Sequence, residues 1–290
     1  MCAVAGIVNG TNKLVDKMLD VQRHRGPDDS NTYEHQNVQL GMARLEIIDL
    51  ESAGLCLFKE GEYILTYNGE IYNYIEIRAE LEALGIKFKT TSDTEVVLKA
   101  YIEWGSECFA RFNGMFAIGI YNEINGTIIL ARDIAGEKPL YYYSKDKQFA
   151  FASEPKAFDK TFDLTKREDR SFFNAFQHCN HETLYAEVSA LPPASFMIYD
   201  ANKNSFTIEK YWKFEHIDIN LATADEELEE LLDSAVNLRT RSDVPYGLYF
   251  SGGLDSSLIS TFHEFKHQYY FDNSLDWEQD FRVNIEKVAW

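Results

Sequence analysis

The second residue of the chain is a cysteine. An initiator Met is removed most readily when the next residue is small, and its removal would give Cys2 both a thiol and a free α-amino group. An α-amine has an ordinary pKa of roughly 7.7–8.0, so an appreciable part is free base at neutral pH. It can take the thiol proton and later hand one to a leaving group, which puts nucleophile and adjacent base in one residue. On position alone, a small hydrophobe opening a buried strand is the commoner reading of such a cysteine. A second chemistry-bearing segment is SGGLDSS at 251–257, which follows an apolar run and opens a helical pattern. Backbone N–H groups and a helix N-terminus can cradle an anion there. The segment lacks the Gly-Lys-Ser/Thr ending of a Walker A loop, so it brings no lysine to a phosphate.

The elements that must position these segments fall into two textures. Up to about residue 212, short β-branched or aromatic-rich runs predict strands over 3–8, 38–45, 63–67, 114–121, 127–133, 139–144, 148–153, 195–200 and 205–212. NEING at 122–126 and SKDK at 144–147 read as hairpin connections. Three helices interrupt the strands, over 13–21, 74–84 and about 93–104. Gly85 and Gly105 stop the last two, and Ser92 with Glu95 suggests a capping box. Many strands with few local helices predict stacked sheets covered by helices. Beyond Trp212, a capping box of Thr223 and Glu226 opens an amphipathic helix carrying Leu228, Leu231 and Leu232. A strand over 244–250, the glycine turn, a helix over 258–267 and a strand at 268–271 follow. A last helix is marked by Phe281, Ile285 and Val288. Strand, glycine turn, helix, strand predicts the opening of an α/β domain with a parallel sheet.

Composition narrows the partners. The 290 residues are 45% hydrophobic and 26% charged, suited to about two soluble domains. A net charge of −19 argues against a nucleic-acid surface or binding to an anionic membrane. Cysteines at 2, 56, 108 and 179 are too few for a disulfide scaffold. No apolar run approaches the roughly 20 residues of a membrane span, and the run from Ala3 to Val8 is too short for a signal sequence. A cytoplasmic location is expected. His178, Cys179 and His181 read as a loop and not a metal site, for want of a second ligand cluster. His263 and His267 read as a helix face, and the acidic run from Asp225 to Glu230 as a solvated helix start.

Nine blocks in order then change the weight given to Cys2. They are CAVAGIV (2–8), RHRGPDD (23–29), ARLEIIDL (43–50), YNGEIYNY (67–74), TSDTEVVLKAY (91–101), GMFAIGIY (114–121), ARDIAGEKPLYYY (131–143), FASEPKAF (151–158) and YFSGGLDSS (249–257). This set resembles the glutamine-hydrolysing asparagine synthetase family. The resemblance implies an α+β chain. A four-layer αββα N-terminal nucleophile hydrolase domain, of the class II glutamine amidotransferase kind, would span 2–212. The first part of an α/β, adenine nucleotide alpha-hydrolase-like synthetase domain of the ATP-pyrophosphatase type would span 223–290.

The same resemblance assigns roles. Cys2 is the nucleophile that hydrolyses glutamine to glutamate and ammonia. The Asn68 side chain and the Gly69 N–H form the oxyanion hole, and Arg44 takes the glutamine carboxylate, for which a guanidinium is well shaped. Glu70 and Asp93 hold the ammonium, Leu45, Glu46, Ile47 and Ile48 line the pocket, and the stretch from Arg25 to Asp28 closes over it. In the second domain, Ser251, Gly252, Gly253, Leu254, Asp255, Ser256 and Ser257 hold pyrophosphate, Tyr249 meets adenine, and Asp255 helps to hold Mg²⁺. Taken singly, Asn68-Gly69 is commoner as a hairpin turn, Asp93 as a helix cap and Arg44 as a surface ion pair. Two departures stand out: the family usually has Gly where Ala3 stands and an aliphatic residue where Tyr249 stands.

The implied activity is ATP-dependent amidation of aspartate with ammonia from glutamine. The family's synthetase domain needs more strands than this chain holds, and a two-strand fragment is hard to stabilise alone. The expectation is therefore a chain that hydrolyses glutamine but does not by itself make asparagine. Either the chain is a truncated product, or a homodimer or companion chain completes the sheet, or the fragment packs on the first domain in a degenerate form. Two other readings stand beside it. One changes the acceptor to a sugar carboxylate in surface-polysaccharide assembly. The other is a non-catalytic regulatory or binding subunit that keeps Met1. Amidotransferases with phosphoribosyl or sugar-phosphate isomerase partners do not account for SGGLDSS.

Overall fold

The computed structural model describes residues 1–10, 13–52, 54–167, 182–216 and 220–269. The chain forms two compact units, Met1–Phe214 and Glu215–Trp290. The cluster of His178, Cys179 and His181 and the last expected helix lie outside the described residues.

The first unit is built on two six-stranded antiparallel sheets. One contains β1 (Ala3–Val8), β2 (Asp29–His35), β3 (Val38–Arg44), β8 (Tyr141–Lys145), β9 (Gln148–Ala152) and β10 (Val188–Ala190), in the order β10-β8-β9-β1-β3-β2. The other contains β4 (Phe58–Glu60), β5 (Tyr63–Ile71), β6 (Gly114–Asn122), β7 (Thr127–Arg132), β11 (Ser195–Asp200) and β12 (Ser205–Lys210), in the order β12-β11-β7-β6-β5-β4. Side chains alternate along each strand, so each sheet has two faces to cover. On β1, Val4 and Val8 join a core between the sheets with Leu40, Ile64, Leu130 and Phe151. Ala3, Ala5 and Ile7 point the other way, into a core with Val15, Met18 and Phe158. That outer core is covered by α1 (Leu14–Asp20) and α4 (Lys156–Asp159). The second sheet is covered by α2 (Tyr74–Ala83) and α3 (Asp93–Trp104), which bury Ile77, Leu81, Val96 and Val97 against Leu65 and Ile118. The layers therefore run helix, sheet, sheet, helix, the four-layer αββα arrangement expected.

Several local readings need correction. Asn68-Gly69 is not a turn: β5 runs on through it to Ile71, because each residue from Tyr63 to Ile71 pairs across to β6. Strand β2 escaped the sequence pattern because DSNTYEH is a mostly exposed edge strand with no apolar run. At α3 only half of the capping box forms. Ser92 Oγ accepts the Thr94 N–H at 3.1 Å. Glu95 turns instead to the Lys89 and Thr90 N–H groups and the Thr90 hydroxyl. The Thr223 box does not form either, since its hydroxyl bonds Glu227 at 2.6 Å and caps no N–H.

The second unit holds α5 (Ala224–Leu238), β13 (Leu248–Tyr249), α6 (Leu254–Phe262) and β14 (Gln268–Tyr269). β13 and β14 pair in parallel, as expected for the opening of an α/β domain. α6 starts directly after Gly253, earlier than the expected 258, so the glycine turn runs into the helix without a spacer. Among the described residues, no helix is long and apolar enough to cross a membrane.

Candidate active site

Strand register gathers the first-unit residues at one end of the sandwich. Ala3 at the start of β1 lies across from Ala43, so Cys2 and Arg44 meet. In the other sheet Asn68 lies across from Ala117, and Ala117 across from Arg132. The Gly69–Glu70 end of β5 and the loop after β7 therefore leave on the same side.

Cys2 packs on the core between the sheets, on the same face of the strand as Val4. The Ala3 methyl points into the opposite core and is fully buried there, so it does not crowd the thiol. The Leu45 N–H donates to Cys2 Sγ at 3.4 Å. Burial pushes the thiol pKa up; that bond, the N-terminal charge and Arg44 oppose the rise, and Glu70 adds to it. Arg25 Nε donates to the Cys2 carbonyl at 3.0 Å and Nη1 to Glu154 at 3.0 Å, so Arg25 braces the start of β1. Gly26 follows because the chain presses on β3 there: a Cβ would lie 2.2 Å from the Ala43 carbonyl carbon. Met1 is 57% exposed. Its amino group is pulled below the ordinary value by burial and by the charges of Lys138 and Arg25, against Cys2 and Asp28.

Arg44 is buried at the end of β3. Its Nη2 donates to the carbonyls of Ile48 and Asp49 at 3.0 and 2.9 Å, and Nη1 reaches Glu46 at 3.1 Å. The loop carrying those carbonyls is tied down by Asp49. The Asp49 carboxylate accepts the N–H and hydroxyl of Ser52 at 2.9 and 2.8 Å, and those of Thr91 at 2.8 and 2.9 Å. Asp28 adds a tie, accepting the Glu46 N–H at 3.0 Å.

In the other sheet, Asn68 is buried, and neither its Nδ2 nor its Oδ1 has a hydrogen-bond partner among the described residues. A buried amide with both ends unmet is costly, and such a group calls for an explanation. Gly69 cannot carry a side chain: its Cβ would lie 2.3 Å from the Met115 carbonyl oxygen and 2.8 Å from Phe116 Cα. Glu70 follows, with Oε2 buried and unpartnered. Asp93 accepts the Tyr67 hydroxyl at 2.8 Å and the Ile71 N–H at 3.1 Å, so it belongs to the first turn of α3 but faces β5. Burial raises the pKa of both carboxyls. Glu70, further pushed by Asp93, rises to about 9 against the pull of Lys138 and Arg44. Two buried carboxyls side by side resist ionising together, so this end of the pocket favours a cation.

The structure thus brings together Cys2, Arg44, Asn68, Glu70 and Asp93. Sequence reasoning missed the braces: Asp49, Glu154 and Asp133 are fixed by bonds between segments far apart in the chain.

The second unit places the 251–257 segment on an exposed turn. Gly252 has φ +73°, a conformation that favours glycine, with nothing within 4 Å of a Cβ position. Ser251 Oγ and Ser256 Oγ lie 3.1 Å apart, and Gly253 N–H points to Ser251 Oγ at 3.4 Å. The turn opens toward the N-terminus of α6, where an anion is favoured. Among the described residues no group of three or more His, Cys, Asp or Glu could hold a metal alone. Asp255 stands alone as a carboxylate in the first turn of α6. Tyr249 is exposed on β13, beside that turn.

Two packed antiparallel sheets between helices, with a thiol at the head of an inner strand, are the setting of a glutamine amidotransferase domain. A family model described as "Glutamine amidotransferase domain" matches residues 1–212, and one described as "Asparagine synthase" matches 227–277. The chain belongs to the glutamine-hydrolysing asparagine synthetase family. Asparagine synthetase [glutamine-hydrolyzing] 3 of Bacillus subtilis is 34% identical over 277 residues, covering 90% of this chain and 45% of that protein. A putative asparagine synthetase [glutamine-hydrolyzing] 2 of Methanocaldococcus jannaschii is 30% identical, covering all of this chain and 68% of that protein. The chain thus spans less than half the length of the Bacillus relative. Among solved structures, the B. subtilis glutamine phosphoribosylpyrophosphate amidotransferase complexed with ADP and GMP matches with a TM-score of 0.57 and 17% identity. That match covers 93% of this chain and 65% of the other, and the likeness is one of fold.

Proposed function

We propose that this chain hydrolyses glutamine at Cys2 after loss of Met1, and that the ammonia serves an ATP-dependent amidation of aspartate. The observation that carries the reading is the buried, unpaired carboxamide of Asn68 on the strand facing Cys2. A carbonyl oxygen that becomes negative during attack would find the Asn68 Nδ2 and the Gly69 N–H waiting for it, with no reorganisation to pay. Burial keeps the Cys2 thiol protonated at rest, so its proton must leave as the sulfur attacks. The freed α-amine of Cys2 takes that proton and delivers one to the departing nitrogen, which leaves as ammonia. Water then cleaves the thioester and releases glutamate.

Arg44 would bind the substrate carboxylate through Nη1, the carboxylate taking the place of Glu46 there, while Nη2 stays committed to the pocket loop. Glu70 and Asp93 would hold the ammonium, which supplies the positive charge that their pairing lacks. Leu45, Glu46, Ile47 and Ile48 would wall the pocket. In the second unit, Ser251, Gly252, Gly253, Leu254, Ser256 and Ser257 would hold pyrophosphate, Asp255 a Mg²⁺ bound to it, and Tyr249 the adenine. ATP activates the acceptor carboxylate by adenylation; the cradle's contribution is backbone and hydroxyl donors. The acidic balance and the small number of cysteines support a cytoplasmic setting.

The test is glutamate release from glutamine by the purified chain, with and without ATP and aspartate. Release that disappears in Cys2→Ala supports the reading; no release from wild type contradicts it.

A further inference from the structure

The loop after β7 delivers a buried lysine to this site that none of the roles above uses. It leaves β7 on the side of Gly69 and Glu70, since Arg132, Ala117 and Asn68 lie in one row across the sheet. Asp133 locks the loop by accepting the N–H groups of Phe116, Glu137 and Lys138 at 3.1, 2.8 and 2.9 Å. Arg132 grips it from the other side, donating to the carbonyls of Lys138, Leu191 and Gly136, each at 2.8 Å. The residue so held, Lys138, is only 5% exposed. A lysine taken out of water this far is costly unless anions face it. Burial accordingly lowers its pKa. The acidic groups that act on it electrostatically are Glu70, Cys2 and Glu137, and the cation is Arg25. The N-terminal amine feels its charge as well. Glu70 Oε2, the buried oxygen without a partner among the described residues, belongs to the same cluster.

We infer that Lys138 is a positioning residue of the glutaminase centre, a fixed counter-charge that makes negative charge affordable at Cys2 and Glu70. This rests on the glutaminase reading. A thiol that is buried and beside a carboxyl resists ionisation; an ammonium held on a rigid loop offsets part of that cost without moving during turnover. Arg44 and Arg25 act on the cluster too, but both are tied by their own bonds to Glu46 and Glu154.

The experiment is the rate of Cys2 alkylation by iodoacetamide across pH 6–10, for wild type, Lys138→Met, Lys138→Gln and Lys138→Arg, with folding checked by circular dichroism. Loss of one nearby charge in a buried site should move the midpoint up by about one pH unit, which is about tenfold slower alkylation on the acidic side. Lys138→Arg should stay near wild type. Glutaminase kcat in the neutral variants should fall at neutral pH and recover as pH rises. Superimposed alkylation profiles for wild type and a folded neutral variant overturn the inference. So does an Arg variant shifted as far as the Met variant, since packing and not charge would then be at work. If Lys138→Met melts early, Lys138→Gln carries the comparison. A wild type that alkylates at Cys2 yet releases no glutamate would sink the glutaminase reading while leaving the alkylation profiles to judge Lys138.

Discussion

Replacing Asp49 with asparagine should loosen the pocket loop and cost about 2 kcal/mol at neutral pH. The carboxylate is almost fully buried, and burial works against its ionisation. The side chain and N–H of Ser52 and of Thr91 nevertheless outweigh burial and hold it at about 2, against an ordinary 3.8. At about 1.4 kcal/mol per pH unit, that gap corresponds to about 2 kcal/mol of folded-state preference for the charged form. Asparagine keeps the shape but turns an N–H₂ group toward donors on one side. The contribution is fully present above the ordinary aspartate value and is lost as pH falls through the folded value. The difference between wild type and Asp49→Asn should therefore be constant from pH 7 to about 5 and shrink below about 4. Urea unfolding at a series of pH values measures it, and the melting midpoint at neutral pH should drop by roughly 4–8 °C. Because the Asp49 carbonyl also orients Arg44, the KM for glutamine should rise in step. A variant within about half a kcal/mol of wild type, or a difference that ignores pH, would refute the reasoning.

Two further substitutions probe the facing strand. Asn68→Ala should lower glutaminase kcat by roughly 10²–10³ with little change in KM, because its amide is held in reserve for the developing oxyanion; equal loss in KM alone would count against that role. Gly69→Ala should destabilise the first unit by roughly 1–3 kcal/mol, because the new Cβ would meet backbone of β6 that cannot step aside. An unchanged melting midpoint would contradict the packing seen between β5 and β6.

What could be read in the sequence was whatever leaves a local pattern. The apolar runs gave away β1, β3, β6, β7 and β11, and Gly105 gave the end of α3. The candidate nucleophile, guanidinium and carboxamide were legible because they sit in dense blocks such as CAVAGIV, ARLEIIDL and YNGEIYNY. The structure adds what binds these blocks together. Asp49 is bonded to Thr91 across 42 residues, and Arg25 to Glu154 across 129. Nothing in the short-range pattern around an aspartate or a glutamate marks such a partner. Glu95 shows the converse. Its position three after Ser92 invited a capping box, but three donors at Lys89 and Thr90 compete for the same carboxylate and win. Lys138 stood in plain view in ARDIAGEKPLYYY, yet only the strand register reveals that its loop leaves on the side of Glu70.

The central claim is that Cys2 becomes an N-terminal nucleophile facing a preformed oxyanion site. The most direct measurement is the intact mass of the purified chain before and after treatment with an electrophilic glutamine analogue. The prediction is a mass lacking Met1 and one adduct that maps to Cys2, absent in Cys2→Ala and suppressed by glutamine. A chain that retains Met1 and takes no adduct at Cys2 would contradict it.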